Sequence, residues 1–152
     1  MKIIHSKMYI DNHDIEIYID LLTNELKNKN ITKIVTLSKG GYIPARMLAK
    51  TLDIRRIYSI GMEFYKDEGR TLNEPIIYQN LTEQFSDDDL ILLIDDLTDK
   101  GESMKVALNE VKKHNGRNII TCSLMHKSKS TFKPDYYVLD VDSDVWVVLP
   151  WE

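Results

Sequence analysis

The fold is decided by the stretch Leu90-Ile91-Leu92-Leu93-Ile94-Asp95-Asp96-Leu97-Thr98-Asp99-Lys100-Gly101-Glu102-Ser103. Its first residues form a continuous apolar run, which is typical of a strand that is buried on both faces of a parallel sheet. Two adjacent acids end this strand, and Gly101 permits a tight turn before a helix that we predict from Ser103 to Lys113. This order predicts a ligand site at the carboxyl end of the sheet.

The segments on either side alternate between helical and strand patterns. Apolar residues near helical spacing predict helices over 14–28, with Asp14 as the cap, and over 42–52. Strands are predicted at 31–37, 56–64, 119–124 and 136–139. The polar segment 65–75 is interpreted as a mobile loop. The alternation indicates an α/β fold, with a single domain over residues 1–152 and a mostly parallel sheet flanked by helices.

The composition is that of an ordinary globular protein. The 152 residues suit one core, and 43% of them are apolar while 29% are charged. No run approaches the roughly 18 apolar residues that a membrane helix needs, and the N-terminus lacks the apolar core of a signal peptide. The single cysteine agrees with a reducing compartment, so a cytoplasmic protein without a membrane partner is expected. The net charge of -4 does not suggest a nucleic-acid partner.

The residues that follow the buried strand have the chemistry needed to bind a phosphorylated sugar. Asp95 and Asp96 can accept hydrogen bonds from vicinal ribose hydroxyls, or they can hold a hydrated Mg²⁺ ion. Backbone amides at the start of the next helix point toward a phosphate, and the helix dipole assists them. The Ser103 hydroxyl adds one donor, and Lys100 adds charge.

Three other interpretations of the acidic turn compete with this one. The two acids can simply end a strand and begin a turn. An apolar strand ending in two acids also resembles the Mg²⁺-binding strand of P-loop ATPases, but the Gly-x4-Gly-Lys-Ser/Thr motif is absent upstream. Phospho-receiver domains have their acidic pair near the first strand and not near residue 95. The buried strand and the glycine turn therefore favour the ligand-binding interpretation.

The stretch from Ile91 to Ser103 resembles the signature with which type I phosphoribosyltransferases bind 5-phosphoribosyl-1-pyrophosphate (PRPP). That signature has four apolar residues, two acids, two variable residues and then Asp-Thr/Ser-Gly-x-Thr/Ser, so Lys100 replaces the usual hydroxyl residue. The resemblance implies a set of PRPP contacts in this loop: Asp95, Asp96, Thr98, Asp99, Lys100, Gly101, Glu102 and Ser103.

A second segment, 35–45, resembles the pyrophosphate loop of the xanthine-guanine branch of this family. Lys39 stands where an Arg usually precedes the paired glycines, so the charge remains but the planar guanidinium is lost. The resemblance implies that Lys39, Gly40 and Gly41 hold the pyrophosphate, with a non-proline cis peptide in the loop. It also implies that Arg70 reaches the pyrophosphate from the family's flexible loop. A solvated lysine and a plain surface loop are the alternatives.

The C-terminal part resembles the 6-oxopurine branch of the family. The resemblance implies that Lys127 donates a hydrogen bond to the purine O6 and that Trp146 stacks on the base. It further implies that the backbone of Val147 reads the N1 and N2 edge, and that Glu152 contacts Mg²⁺ on the pyrophosphate side. The alternatives are a surface lysine and a core aromatic residue. The segments that carry this resemblance are Met125-His126-Lys127, Asp144-Val145-Trp146-Val147 and Leu149-Pro150-Trp151-Glu152.

The resemblance as a whole implies a purine-salvage phosphoribosyltransferase that uses Mg²⁺ and converts guanine, xanthine or hypoxanthine to the nucleoside 5′-monophosphate. Asp95 and Asp96 hold the ribose hydroxyls in this hypothesis, Asp96 binds Mg²⁺, and Asp99 is the general base. A small hood from roughly 1–12 and 127–152 is implied, as is a homodimer or homotetramer. A phosphoribosyltransferase for another base, such as adenine or orotate, and a non-catalytic regulator that binds PRPP or a nucleotide are the alternatives.

Overall fold

The protein is represented by a computed structural model that describes residues 1–67 and 70–152, with the backbone alone described at 65–67 and 70–74. The helices are α1 (Asn12–Leu26), α2 (Tyr42–Thr51) and α3 (Glu102–Lys113). The strands are β1 (Lys2–Ile4), β2 (Lys7–Tyr9), β3 (Lys33–Ser38), β4 (Ile57–Asp67), β5 (Arg70–Gln79), β6 (Leu90–Thr98), β7 (Asn118–Lys127), β8 (Leu139–Val141) and β9 (Trp146–Val148).

The main sheet has six strands in the order β5-β4-β3-β6-β7-β8. Only the β4–β5 pair is antiparallel, and the other neighbours run parallel. Helices α1 and α2 pack on one face around Leu92 and Ile94, whereas α3 packs on the other face around Ile91 and Leu93. The predicted α/β fold, with a mostly parallel sheet flanked by helices, is confirmed.

Strands β3 and β6 lie side by side in the middle of the sheet, and this arrangement decides where a ligand can bind. The chain leaves β3 toward β4 on one side and leaves β6 toward β7 on the other. The loops after these two strands therefore diverge and leave a crevice at the carboxyl end of the sheet. Such a switch point is the usual ligand site of an open α/β sheet.

A second, three-stranded sheet joins the two ends of the chain, and we call it the terminal sheet (β1, β2 and β9). β1 pairs antiparallel with β2, and β2 pairs parallel with β9. The backbone N–H of Trp146 also donates to the Ser6 carbonyl at 2.8 Å. The N-terminal strands thereby hold the segment that contains Trp146 and Val147.

Two local predictions were wrong. Helix α1 begins after Asp11. The Asp11 side chain accepts a hydrogen bond from the Asp14 backbone N–H at 2.9 Å, and the Asp14 carboxylate accepts one from the Asp11 backbone N–H at 3.0 Å. Asp14 is thus the third residue of a capping box and not the cap. The described parts of the segment 65–75, which was predicted as a loop, continue β4 as far as Asp67 and begin β5 at Arg70. They form an antiparallel pair, since ladder hydrogen bonds satisfy the backbone whatever the polarity of the side chains.

Within the described parts of the chain, no helix is both long enough and apolar enough to cross a membrane.

Candidate active site

The loop after β3 contacts the last part of β6, where Gly40 lies against the side chain of Asp96. A β-carbon on Gly40 would lie 2.6 Å from the carboxyl carbon of Asp96, so the loop and the strand touch where a side chain would collide. Gly41 is confined in the same way, because its β-carbon would lie 2.6 Å from the Leu37 carbonyl oxygen. The paired glycines are therefore required by the close approach of β3 and β6.

The loop after β3 has the expected unusual backbone. A cis peptide joins Ser38 and Lys39, neither of which is proline. The chain then turns tightly, with the Gly41 N–H donating to the Leu37 carbonyl at 3.0 Å, and α2 begins at Tyr42. The Lys39 side chain is exposed at the carboxyl end of the sheet, which leaves its ammonium group accessible to an anion.

Asp95 and Asp96 are half-buried at the end of β6. Burial raises the pKa of Asp95, and the neighbouring Asp96 charge raises it further. Burial also raises the pKa of Asp96, although a hydrogen bond from Trp151 opposes this change. Among the described residues, no ion pair involves either carboxylate. A bound cation or sugar hydroxyls would compensate for burying two adjacent acids.

A cavity of about 260 Å³ opens beside this acidic pair. It is lined by Phe64, Asp95, Leu97, Thr98, Asp99, Lys100, Gly101, Glu102, Ser103 and Met104. The Thr98 hydroxyl oxygen is buried and has no hydrogen-bond partner within the described structure. Because this oxygen is enclosed by the protein, the polar groups offered to a ligand are those of Asp95, Asp99 and the turn from Lys100 to Ser103.

The phosphate side of the cavity is a glycine turn that leads into α3. Gly101 has a φ of 92°, a backbone conformation that favours glycine. There is also no room for a side chain, because an added β-carbon would lie 2.7 Å from Cβ of Phe132. Lys100 and Ser103 flank this turn along the cavity wall. The first backbone N–H groups of α3 therefore lie at the cavity, where the helix dipole favours an anion.

Thr131 holds the turn in place through hydrogen bonds to the Lys100 carbonyl. The Thr131 backbone N–H and hydroxyl both donate to the Lys100 carbonyl, at 3.1 and 2.8 Å. The Glu102 carboxylate lies 3.1 Å from the Thr131 hydroxyl, whose single proton it shares with the Lys100 carbonyl, and it accepts from Lys105 at 3.0 Å. The side chain of Glu102 is thus engaged in supporting the turn, and only its backbone remains for a phosphate contact. Sequence reasoning missed Thr131 because nothing in the motif signals a partner 31 residues away.

Lys127 is a buried lysine and not a surface one, since only 5% of it is exposed. Its ammonium group donates to the Val145 carbonyl and, at 3.4 Å, to the Asp142 carbonyl. An ammonium group carries three donors, so one is left for a ligand. The two contacts tie the end of β7 to the turn that precedes β9.

The residues of β9 have opposite environments. Trp146 is 66% exposed, whereas Val147 is 5% exposed and belongs to the core around α1. The exposed face of Trp146 is open to an aromatic ligand, although a single exposed apolar side chain is common on protein surfaces. Lys127, Trp146 and Val147 are absent from the lining of the 260 Å³ cavity as far as the structure describes it. The cavity therefore brings together the predicted contacts of one loop, whereas Lys39, Gly40, Gly41 and Asp96 are also absent from its described lining. The predicted purine contacts form a separate group, in which Lys127 binds the carbonyl of Val145, next to Trp146.

The two remaining predicted contacts are not placed in the site. The Arg70 side chain lies outside the described residues. Glu152 is exposed, and its carboxylate accepts from the Leu149 N–H at 3.4 Å, which closes the C-terminal turn on itself. The preceding residue, Trp151, is the one that reaches Asp96, with an indole nitrogen to carboxylate oxygen distance of 3.2 Å. The sequence signal for it was an aromatic residue with an N–H donor beside the predicted metal contact.

No group of three or more metal-ligating side chains occurs in the described parts of the chain. Mg²⁺ does not need such a group, because it usually binds through one or two carboxylates together with water and substrate phosphates. Asp95 and Asp96, half-buried and without a cationic partner in the described residues, fit this mode of binding. The site therefore suits Mg²⁺ that arrives with a phosphorylated ligand.

Comparison with known proteins identifies the family. Residues 5–152 match the family described as the phosphoribosyl transferase domain, and the chain belongs to this family. The chain is 30% identical over 119 residues to a xanthine-guanine phosphoribosyltransferase from Gluconobacter oxydans, a match that covers 78% of this chain and 67% of that protein. The resemblance inferred from the signature loop is confirmed.

Solved structures show the same fold. A purine phosphoribosyltransferase from Pyrococcus horikoshii has a TM-score of 0.87 and 30% identity, and the match covers 97% of this chain and 95% of that one. A protein from Neisseria gonorrhoeae with bound ppGpp has a TM-score of 0.81 and 25% identity, with coverage of 99% and 92%.

Proposed function

We propose that this protein is a purine-salvage phosphoribosyltransferase that joins guanine, xanthine or hypoxanthine to the phosphoribosyl group of PRPP and releases pyrophosphate. The observation that carries the proposal is the cavity that Asp95 and Asp99 line together with the N-terminal residues of α3. The names of the Gluconobacter and Pyrococcus relatives support a purine base as the acceptor.

PRPP binds in this proposal across the switch point between β3 and β6. The backbone N–H groups from Lys100 to Ser103 hold the 5′-phosphate, in a turn that Thr131 fixes from behind. Lys39 and the backbone N–H of Gly40 hold the pyrophosphate, while the Gly41 N–H is engaged with the Leu37 carbonyl. Asp95 and Asp96 accept hydrogen bonds from the ribose hydroxyls. The reacting carbon is thereby placed between two anchored phosphate groups.

The purine binds against the terminal sheet. Trp146 offers its exposed ring for stacking, which is worth roughly 1–3 kcal/mol per base. The remaining donor of Lys127 binds the O6 oxygen. An ammonium group cannot accept a hydrogen bond, so it cannot pair with the amino group that adenine has at that position. The backbone of Val147 reads the other edge of the base. This arrangement favours 6-oxopurines over adenine.

Substitution takes place at the anomeric carbon of the ribose. The bond from this carbon to the pyrophosphate oxygen breaks, and a bond to a purine nitrogen forms. Asp99, which lines the cavity and is exposed to an incoming base, takes the proton that the base loses. The negative charges of Asp95 and Asp96 stabilise the positive charge that develops on the ribose.

Asp96 is the proposed Mg²⁺ contact, together with oxygens of PRPP. When bound, Mg²⁺ neutralises the charge of the departing pyrophosphate. Glu152 is a less favourable contact than the resemblance implied, because its carboxylate is engaged with the Leu149 N–H.

The test is the change in ultraviolet absorbance when the protein is mixed with PRPP, Mg²⁺ and each of guanine, xanthine, hypoxanthine and adenine. We expect turnover of oxopurines and not of adenine. The matched control is the double substitution Asp95→Asn, Asp96→Asn, which should remove turnover. Turnover of adenine alone would refute the role of Lys127. No turnover by protein that still binds PRPP would favour the non-catalytic regulator.

A second candidate ligand follows from the Neisseria protein, which was solved with ppGpp bound. This nucleotide joins a guanine base to two diphosphate groups, so it carries the chemical groups that both halves of the proposed site recognise. We expect ppGpp to compete with PRPP in initial-rate measurements. Inhibition that excess PRPP does not relieve would place ppGpp elsewhere on the protein.

A further inference from the structure

The C-terminal turn reaches back to the acidic pair through one hydrogen bond. The indole nitrogen of Trp151 donates to Oδ2 of Asp96 at 3.2 Å, across 55 residues of sequence. The other carboxylate oxygen, Oδ1, accepts from the Leu97 backbone N–H at 2.7 Å. Gly40 lies against the same carboxylate and leaves no room for a side chain between them. Asp96 is therefore held on three sides.

The indole is not placed there by tight packing alone. Trp151 is half-buried, and part of its ring lines a second cavity of about 340 Å³ together with Ile15, Ile43 and Met47. Packing leaves one side of the ring open, while its single polar atom meets a carboxylate. Because an indole N–H can only donate, its partner must be an acceptor such as Asp96.

We propose that Trp151 is a positioning residue for PRPP binding, which sets the orientation of the Asp96 carboxylate through the indole N–H. This inference rests on the proposed function of the same site. Each carboxylate oxygen has about two lone-pair sites. Trp151 and Leu97 use one site on each oxygen, so the sites that remain are fixed in direction. In the proposed complex these sites accept from a ribose hydroxyl or bind Mg²⁺.

The consequence is a loss of PRPP affinity when the donor is removed. In Trp151→Phe the ring stays and the N–H is lost, and the open cavity beside the ring means that little packing changes. Hydrogen bonds to charged groups are among the stronger ones in proteins, so we expect the dissociation constant for PRPP to rise roughly tenfold. The apparent KM for PRPP should rise in parallel, with a smaller change in kcat, because Trp151 acts before the chemical step.

The first experiment measures PRPP binding by calorimetry, without a purine base and both with and without Mg²⁺. Pro150→Ala is the matched control, since Pro150 is exposed in the same turn and offers Asp96 no donor; it should bind PRPP as the unmodified protein does. Unchanged PRPP affinity in Trp151→Phe would overturn the inference. Failure of the unmodified protein to bind PRPP would instead refute the proposed function, on which the inference depends.

A second measurement tests the inference if Trp151→Phe fails to fold. The chain has 2 tryptophans, so Trp146→Phe leaves Trp151 as the sole indole. Its fluorescence should change on addition of PRPP alone, because the ligand engages the carboxylate to which the indole N–H is bound. Emission that stays constant while calorimetry of the same variant shows PRPP binding would contradict the proposed position of Trp151.

Discussion

Gly40 offers the most demanding test of the geometry at the switch point. In Gly40→Ala the new β-carbon would lie 2.6 Å from the carboxyl carbon of Asp96, whereas ordinary contact begins at 3.4 Å. The difference is about 0.8 Å, and Asp96 cannot yield freely because the Leu97 and Trp151 N–H groups hold its two oxygens. The carboxylate or the whole loop after β3 must therefore shift.

The expected cost is large for activity and small for folding. A displacement of about 1 Å in a catalytic constellation can lower the rate about 10²-fold, so we expect kcat/KM for PRPP to fall by roughly this factor. The assay is the absorbance change with PRPP, Mg²⁺ and the preferred oxopurine, with thermal unfolding measured in parallel.

Gly116→Ala is the matched control for the insertion of a methyl group. Its β-carbon would lie 2.5 Å from Cγ1 of Val111 and 2.8 Å from the Val111 carbonyl oxygen, away from the site. We expect this control to lower Tm while the folded enzyme keeps its kcat/KM. A Gly40→Ala enzyme within about threefold of the unmodified kcat/KM would refute the argument that Gly40 and Asp96 are in functional contact.

Three further predictions concern stability and chemistry. Burial alone would raise the pKa of Asp89, but hydrogen bonds from Ser86, Lys33 and Thr32 outweigh it and lower the pKa to about 2. The ionised carboxylate therefore contributes about 2 kcal/mol to the free energy of unfolding above pH 4, and this contribution is lost as the pH falls toward 2. In denaturant unfolding, Asp89→Asn should lose less stability over that range than the unmodified protein. An identical loss of stability would exclude Asp89 as its source. Asp99→Asn should lower kcat by 10²- to 10⁴-fold with PRPP affinity retained, as single-turnover kinetics and calorimetry would show, and unchanged kcat would remove Asp99 from the mechanism. Thr131→Val should raise KM for PRPP several-fold because the Lys100 carbonyl loses a donor, at a folding cost of about 1 kcal/mol; an unchanged KM would mean that the turn does not depend on Thr131.

The central elements could be predicted from the sequence because their patterns are local. The apolar run from Leu90 to Ile94 identified a buried strand, and the glycine turn at Gly101 identified the start of α3. The short strands of the terminal sheet had no such pattern. Each has three residues, and each exists because its partner comes from the other end of the chain.

The polar segment 65–75 shows a related limit. Its charges and lack of periodicity favoured a loop, yet the described backbone at 65–67 and 70–75 belongs to β4 and β5. An antiparallel pair satisfies its own hydrogen bonds, so it does not need the apolar alternation that marks a strand packed on a core.

The sequence by itself determined the family and the fold class, because a buried strand, an acidic pair and a glycine turn are contiguous and have few other uses; the loop that we propose for PRPP is part of the same stretch. Only the tertiary structure decided which residues support that loop. Thr131 behind the Lys100 carbonyl, Gly40 beneath Asp96, and Trp151 at the Asp96 carboxylate are all distant in sequence. Their roles depend on the distances between atoms of different loops, and those distances are fixed by the order of strands in the sheet.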